Sequence, residues 1–440
     1  MKLSHILGIN ARTKLYSYPY NSWRGKRIAR SKIQTEKILK GVGIPTPRIL
    51  KKFRNTEDID NYDWASLQGS FVLKPSKGLG GEGIIVVKKR LKNKVPTWLT
   101  ANKRRVQIVD LKLHVLDILE GAYSIGNVPD VAFIQEYVGR HRGLMRYSFR
   151  GTPDVRVIVF NKVPVLAMLR LPTRDSEGRS NLHQGAIGAG IDIATGITTS
   201  AIWYDQQIKE TPDHNRKIYG IKIPQWNRIL EMSVDSQVVS KLGYVGVDIV
   251  IHPEKGPMVM ELNSSPGIQI QLANMAGLRK RLDRVEDLEV RNASHGVEIA
   301  KALFSDKYGD RRKAEEGIKT LKAVESVYVL NNNRKKVSVL AKVDTGAWSS
   351  SIDINFAKKI GIFSKSKVLW YRKKLSALGE EDRAVIPMTF WLSGRKIKTT
   401  VTVADRKALT YKMIIGRTDL TGFLVDPEIE PEKLEAAQLW

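Results

Sequence analysis

The feature that most restricts the fold of this chain is a pair of apolar segments that each carry an acidic residue. The segments are GYVGVDIVI, residues 243–251, and PMVMEL, residues 257–262, and the sequence HPEKG joins them. Two β-rich runs linked by a few residues that include Pro and Gly predict a β-hairpin. A carboxylate in a buried strand is costly unless it is paired. Asp248 and Glu261 therefore need partners inside the fold, unless the hairpin lies at the surface and both are solvated.

The same hairpin predicts a metal site. Side chains alternate along a strand, so Glu261 and Asn263 share one face of theirs, and Asp248 can face its cross-strand partner. Carboxylate and carboxamide oxygens suit Mg²⁺, with Mn²⁺ as a second candidate. We therefore predict that Asp248, Glu261 and Asn263 bind Mg²⁺.

A glycine-rich turn lies between two short apolar runs near the N-terminal end. The sequence FVLKPSKGLGGEGIIVVKK, residues 71–89, places Lys74 before the turn and Gly80 and Gly81 within it. Glycines allow backbone amides to approach phosphate oxygens closely. Because strands are predicted on both sides, we expect a hairpin lid rather than a loop that precedes a helix. The alternative is a flexible surface hairpin with an exposed lysine.

Three arginines, Arg156, Arg170 and Arg179, occur on or after further predicted strands. Arginine on a strand can bind phosphate through two N–H groups and neutralise charge on a transferred phosphoryl group. Asn181 and His183 follow in SNLHQGA. Ordinary hydrogen bonding explains His183 adequately, so we assign it no catalytic role.

The composition excludes some classes of protein and leaves others open. Cysteine is absent, which removes disulfides, thiolate metal sites and cysteine nucleophiles. The 73 Lys and Arg residues exceed the 45 Asp and Glu residues, which gives a net charge of +28. That excess suits nucleic acid, an anionic membrane surface, or an acidic peptide or nucleotide substrate. No apolar run is long enough to cross a membrane, and we predict a cytoplasmic protein.

We predict two domains. Residues 1–304 carry the α+β pattern, with amphipathic helices at Trp23–Lys40 and Trp226–Leu242. Residues 305–322 are polar and charged, as is typical of a linker. Residues 323–440 contain short, closely spaced apolar runs, which predict a small all-β domain.

Seven segments of the first domain resemble, in order, the ATP-grasp superfamily, and most closely the RimK-type α-L-glutamate ligases. The resemblance covers about residues 25–300 and is carried by RSKIQTEKILKGVGIPTP, FVLKPSKGLGGEGI, FIQEYV, DVRVIVF, RSNLHQGA, GVDIV and MELNSSPG. It implies ATP and Mg²⁺ as cofactors. The reaction implied is activation of a carboxylate as an acyl phosphate, followed by attack of an amine to form an amide.

The resemblance also implies roles for individual residues. Lys32 and Lys74 would contact the ATP phosphates, with Gly80 and Gly81 closing over them. Arg156 and Arg170 would be the catalytic residues that face the γ-phosphate and acyl phosphate. Adenine would lie against the backbone of the segment formed by Gln135, Glu136, Tyr137 and Val138, with Glu136 on the side of the amino group. Asn181 would line the substrate pocket.

The sequence departs from that family pattern in two places. Lys32 comes almost at once, so we expect a wall of the substrate site to be either missing or supplied by another chain, and we predict a homo-oligomer. The insertion GRHRGLMRYSFRGTP, residues 139–153, carries four arginines that could receive an acidic peptide. These are Arg140, Arg142, Arg146 and Arg150. We assign Arg140 and Arg142 to the substrate site. A solvated basic loop is the alternative.

The C-terminal region resembles the retropepsin-like aspartic protease fold, in particular the RimB-type domain that is often labelled an ATP-dependent zinc protease. The segments that carry the resemblance are LAKVDTGAWSSSI, residues 340–352, and KMIIGR, residues 412–417. In that fold Asp344 is the catalytic aspartate, and two chains must dimerise to pair two of them. Zinc is disfavoured because none of the seven histidines lies in residues 323–440. The domain is thus expected to be an aspartic peptidase or a non-catalytic peptide-binding module.

Together these features predict an ATP-dependent carboxylate–amine ligase that adds an amino acid such as glutamate to a peptide or protein, fused to a domain that trims or binds the same peptide. One alternative is a ligase for a small metabolite with a non-catalytic β domain. A second alternative is a basic nucleic-acid-binding protein, although the sequence contains no recognised nucleic-acid-binding motif.

Overall fold

The structure is a computed structural model that describes residues 5–78, 80–304, 319–376, 379–407 and 409–427. The chain divides into two compact units, residues 1–300 and 301–440. Most of the predicted linker at 305–322 lies outside the described residues.

The first unit contains a six-stranded antiparallel sheet. Its core is aromatic: Phe53, Phe71 and Trp98 are fully buried, and the hydrophobic face of a helix at residues 108–119 packs into the same cluster. The strands, in their order across the sheet, are β1 (Ile49–Phe53), β6 (Ala132–Glu136), β2 (Phe71–Pro75), β3 (Ile85–Arg90), β4 (Thr97–Thr100) and β5 (Arg105–Gln107). The predicted hairpin on either side of the glycine turn is confirmed as β2 and β3.

A seven-stranded antiparallel sheet forms the second layer of the first unit. All nine residues of its β8 strand are buried, and they include Pro164 and the cation Arg170 beside Val, Leu, Ala and Met. Its strands, in spatial order, are β11 (Gln206–Ile208), β10 (Thr198–Trp203), β9 (Ile187–Ile191), β8 (Val163–Leu171), β7 (Asp154–Phe160), β12 (Tyr244–His252) and β13 (Gly256–Asn263).

The predicted acidic hairpin is confirmed as β12 and β13. Its register shifts by one residue next to the two acidic residues. The register pairs Asp248 with Glu261 and then Ile249 with Val259. Met260 is therefore the extra residue of a β-bulge, and it lies beside the paired carboxylates.

The helix predicted at Trp23–Lys40 is in fact two helices. Ser31 has an extended backbone, its side chain accepts a hydrogen bond from Gln34 N, and Lys32 N donates to Ser76 O at 3.1 Å. This long-range contact breaks the helix and begins its second half at Lys32, beside the glycine turn.

The remaining helices lie mostly in the first unit, and none of the described helices is both long and apolar enough to span a bilayer. A six-residue π-helix at Arg12–Ser17 comes directly after the first α-helix, which spans Ile9–Ala11. The α-helices are α1 (Ile9–Ala11), α2 (Tyr18–Tyr20), α3 (Trp23–Ala29), α4 (Lys32–Gly41), α5 (Thr56–Asp60), α6 (Ile108–Leu119), α7 (Arg142–Met145), α8 (Trp226–Ser240), α9 (Ile270–Ala273), α10 (Leu278–Asp283), α11 (Ala293–Phe304) and α12 (Ile354–Lys359).

The second unit is built on a seven-stranded sheet around a single apolar cluster. Strand β15 pairs with both β16 and β19, so the sheet closes on itself through β15. The strands are β15 (Val324–Leu330), β16 (Lys336–Val343), β21 (Met413–Ile415), β17 (Ser351–Asp353), β20 (Arg395–Ala404), β19 (Gly379–Leu392) and β18 (Trp370–Ser376), with a separate parallel pair, β14 (Lys319–Leu321) and β22 (Phe423–Val425).

Candidate functional site

A cavity of about 1450 Å³ in the first unit is lined by both of its sheets. It brings together almost all of the residues that the sequence singled out there. Those that line it are Lys32, Lys74, Gly80, Gly81, Gln135, Glu136, Tyr137, Val138, Arg156, Arg170, Asn181, Asp248, Glu261 and Asn263. The cavity wall does not include Arg140 or Arg142.

Asp248 is the centre of the charged part of this cavity. It is only 2% exposed, and on β12 it lies opposite Arg156 of β7. Arg156 donates from Nε to Oδ1 and from Nη2 to Oδ2, both at 2.7 Å. Arg170 Nη2 donates to Oδ2 at 2.8 Å. Burial alone would raise the pKa of Asp248, but Arg156 and Arg170 outweigh burial and hold this pKa well below its usual range.

Sequence reasoning missed one member of this cluster, Asp154. It pairs with Arg170 in the β7–β8 register, and Arg170 donates to its two oxygens at 2.5 and 2.7 Å. Burial raises the pKa of Asp154 to about 6, and the nearby charge of Asp248 adds to this, while Arg170 opposes it. The spacing in Asp154-Val-Arg156 was the available signal, because residues two apart on a strand share a face.

The three residues predicted to bind Mg²⁺ lie close together in the structure. Asn263 Nδ2 lies 3.1 Å from Asp248 Oδ2 and 3.5 Å from Glu261 Oε1. Glu261 Oε2 is 3.7 Å from Lys32 Nζ. Among the described residues, no three His, Cys, Asp or Glu side chains form a metal-binding group. The set here consists of two carboxylates and one carboxamide.

Lys74 is almost fully buried, at 4% exposed, in the wall of the cavity. Its Nζ lies 5.3 Å from the centroid of the Phe133 ring. Burial lowers the pKa of Lys74 to about 7, and the charge of Lys32 adds to this, while Glu261 opposes it. An anion bound nearby would therefore stabilise the charged form of Lys74 and raise its pKa again.

The glycine turn faces the loop that contains Asn181. Gly80 and Gly81 have φ values of +62° and +83°, a region that side chains rarely adopt. A Cβ on Gly80 would lie 3.8 Å from Asn181 Nδ2, and one on Gly81 would lie 3.7 Å from Arg179. Lys32 Nζ donates to Gly78 O at 2.9 Å and connects α4 to the start of this turn.

The segment predicted to hold adenine comprises the last two residues of β6, Gln135 and Glu136, and the two residues that follow it. Gln135 Nε2 donates to Pro47 O at 2.9 Å, and the Glu136 carboxylate accepts from Arg48 N at 3.0 Å and from Lys255 Nζ at 2.8 Å. Both side chains are thus engaged by neighbouring loops. Tyr137 lines the cavity here, as do the apolar side chains of Val138, Val250 and Met260, which pack with Met258 behind them.

The basic insertion contributes to a second, smaller cavity of about 450 Å³. The residues that line it come from the insertion and from a later turn: Arg140, Met145, Arg146, Ser148, Phe149, Arg150, His214 and Arg216. Arg142 is exposed on α7 and lines neither cavity.

In the second unit, Asp344 lies just after β16. Its Oδ1 accepts hydrogen bonds from Gly346 N at 2.9 Å and Ala347 N at 3.1 Å. Asp344 N donates to Ile415 O at 2.9 Å. The Asp-Thr-Gly and Ile-Ile-Gly-Arg segments therefore meet in the fold, and Asp344 is half-buried.

Comparison with known proteins gives matches of several kinds. A probable alpha-L-glutamate ligase of Maridesulfovibrio salexigens is 26% identical over 244 residues, which are 55% of this chain and 57% of that protein. The chain spans about half the length of the curated relatives it matches. The structure of the ATP-grasp ligase PsnB with its minimal precursor is 16% identical over 61% of this chain and 63% of that one, with a TM-score of 0.33. The D-alanine–D-alanine ligase of Bacillus anthracis with ATP is 16% identical over 68% of this chain and 71% of that one, with a TM-score of 0.33.

A family model described as sugar-transfer associated ATP-grasp matches residues 11–287, which is more than half of the chain. The matched range includes both sheets of the first unit and every residue of its large cavity. The chain belongs to the sugar-transfer associated ATP-grasp family.

Proposed function

We propose that this protein is an ATP- and Mg²⁺-dependent carboxylate–amine ligase. The observation that carries the proposal is the convergence of two lysines, two arginines, two carboxylates and a carboxamide on one cavity. Positive groups for a triphosphate and oxygen ligands for a divalent cation lie together there, and an apolar cluster suited to a purine ring lines the same cavity.

The side chains present fit Mg²⁺. Glu261, Asn263 and ionised Asp248 offer hard oxygen ligands on one face of the hairpin. Asp248 Oδ1 accepts one hydrogen bond among the described residues, from Arg156, which leaves it able to bind a cation. When bound, Mg²⁺ supplies Lewis-acid stabilisation of phosphate charge.

The remaining residues position and stabilise the reacting groups. A carboxylate oxygen of one substrate attacks the γ-phosphorus of ATP, the bond to the β-phosphate oxygen breaks, and ADP leaves with that electron pair. An amine then attacks the acyl phosphate, phosphate leaves, and the amine loses a proton to solvent. Lys32 and Lys74 bind phosphate oxygens, and Arg156 and Arg170 stabilise the charge on the transferred phosphoryl group.

The substrates that we propose are an amino acid such as glutamate and a peptide or protein acceptor. The similarity to probable alpha-L-glutamate ligases supports the amino acid, and the basic cavity beside the site supports an acidic acceptor. The family description favours a second candidate, an acceptor linked to sugar transfer. A small metabolite as acceptor would instead give turnover with free amino acids alone.

For the second unit we propose a retropepsin-like domain that trims or binds the same peptide. The contact between the Asp-Thr-Gly loop and β21 supports this, as does the sheet that closes through β15. One Asp-Thr-Gly loop per chain requires a homodimer for cleavage. Asp344→Asn should then spare ligation and abolish cleavage, and cleavage that persists would overturn the peptidase role.

The experiment that tests the ligase is incubation with ATP, Mg²⁺ and pooled amino acids, with and without added peptides, amino sugars or cell extract. Mass spectrometry identifies new amide products, and ADP formation is measured in parallel. The proposal expects amine-dependent ADP formation and an amide product. A variant that lacks the side chains of Asp248, Glu261 and Asn263 should form no ADP, and full activity in that variant would refute the proposal.

A further inference from the structure

The smaller cavity of about 450 Å³ is lined by arginines from two separate parts of the sequence. Arg140, Arg146 and Arg150 belong to the basic insertion, whereas Arg216 belongs to a turn that follows β11. That turn closes by a hydrogen bond from Thr211 N to Arg216 O at 2.9 Å. The fold thus gathers cations that are far apart in the chain.

Within the described part of the chain, these four arginines form no ion pair with a carboxylate. Every salt bridge of the first unit joins other residues. The acid nearest to Arg216 in sequence, Asp213, accepts a hydrogen bond from Arg174 N at 2.9 Å and does not line the cavity. Like charges that share a cavity repel each other, and a bound anion removes that cost.

The backbone around Arg150 is held in place before any ligand arrives. Arg150 has a φ of +52°, which non-glycine residues seldom adopt. Phe149 N donates to Pro172 O at 2.8 Å, and the guanidinium groups of Arg150 and Arg174 lie 4.8 and 5.5 Å from the centroid of the Phe149 ring. A fixed arginine loses little entropy when it binds a carboxylate.

Arg150 also lines the large cavity, so the two cavities share a wall residue. We propose that the smaller cavity binds Asp or Glu side chains of the peptide acceptor, next to the residue that reacts. This inference rests on the ligase function proposed above. Nucleotide phosphates already have Lys32 and Lys74 in the large cavity, whereas carboxylates along a peptide would match several separate guanidinium groups.

Peptide binding without turnover tests the proposal. The probes are two fluorescent peptides, one of alternating Glu and Gly and one of alternating Gln and Gly, and their affinities are measured by fluorescence anisotropy on the full chain. The Glu peptide should bind at least about tenfold more tightly than the Gln peptide. Arg146→Glu with Arg216→Glu should remove that difference. The matched control is Arg24→Glu with Arg228→Glu, which makes the same total charge change at two exposed arginines that line neither cavity, and it should alter affinity by less than about twofold.

Three results would overturn the proposal. They are equal affinity of the wild type for the two peptides, an equal loss of affinity in the control with Arg24→Glu and Arg228→Glu, and displacement of the peptide by inorganic phosphate at lower concentration than by free glutamate. In the ligation assay, the double variant should raise KM for the Glu peptide and leave kcat unchanged. If no peptide supports ADP formation but the arginine-dependent binding holds, the ligase proposal fails while the acidic-peptide site stands.

Discussion

Arg170 reaches across a whole strand to bind Asp248. It lies on β8, Asp248 lies on β12, and β7 runs between them, yet Arg170 Nη2 is 2.8 Å from Asp248 Oδ2. The same guanidinium binds Asp154 on the intervening strand through Nε and Nη2. One guanidinium therefore binds two carboxylates, and Arg156 is the second cation that binds Asp248.

These contacts predict a large stability effect at Arg170. Arg170→Met leaves Asp154 buried without its bidentate partner and should lower the free energy of unfolding by about 3–5 kcal/mol. Chemical denaturation measures the change. The double variant Arg170→Met with Asp154→Leu removes the unpaired charge and should recover much of this stability without recovering ADP formation. If Arg170→Met alone has the same free energy of unfolding as the wild type, the pairing of Arg170 with Asp154 contributes nothing to stability.

Binding of ATP should take up a proton. The pKa of Lys74 is about 7 in the unliganded site, so at about pH 8 most of the population has a neutral Lys74. The triphosphate favours the charged form, and up to about one proton should enter with each ATP. Calorimetry in buffers of different ionisation enthalpy measures this uptake. Lys74→Arg is the control, because arginine is already charged and should bind ATP without that proton.

The same lysine should destabilise the unliganded protein. Below about pH 7 Lys74 is charged in both folded and unfolded chains, and the folded chain bears the full cost of burial. As the pH rises from 7 to about 10.5 the folded chain holds fewer protons at this site than the unfolded chain, so stability rises. Lys74→Met should therefore raise Tm by a few degrees at about pH 6.5, with a smaller gain at about pH 9.5. A lower Tm for this variant at pH 6.5 would contradict the burial cost.

Loss of one carboxylate from the hairpin should change the metal requirement. Glu261→Gln keeps the shape of the side chain and removes its charge, so the Mg²⁺ concentration for half-maximal ADP formation should rise about tenfold or more. Glu254→Gln is the matched control, because Glu254 lies exposed in the turn of the same hairpin. If the two variants need the same Mg²⁺ concentration for half-maximal ADP formation, Glu261 is not a ligand.

Local patterns predicted the strands and part of the geometry of the candidate site. Alternation places Glu261 and Asn263 on one face of β13, because a strand has a side-chain period of two, but only the bulge at Met260 brings that face opposite Asp248. The pairing of Arg170 with Asp154 and Asp248 depends on which strands become neighbours, which no local pattern specifies. The same holds for Arg216, which an unrelated turn carries to the basic insertion.

Long-range contacts also explain the error in the N-terminal helix. The apolar pattern from Trp23 onward is continuous, and it predicts one helix. The bond from Lys32 N to Ser76 O ends that continuity and joins residues far apart in the chain. Tertiary structure overrides helix propensity here.

The β-bulge at Met260 determines which side chains of β13 lie on the same face of the sheet as Asp248. Met260, the extra residue, lines the large cavity, and Glu261 lies opposite Asp248. Without the bulge, the ladder that begins at the pair His252–Gly256 would place Met260 opposite Asp248, and Glu261 and Asn263 would lie on the opposite face of the sheet. Deletion of Met260 itself would keep Glu261 opposite Asp248 in a regular ladder, whereas deletion of Leu262 would turn Asn263 away from Asp248.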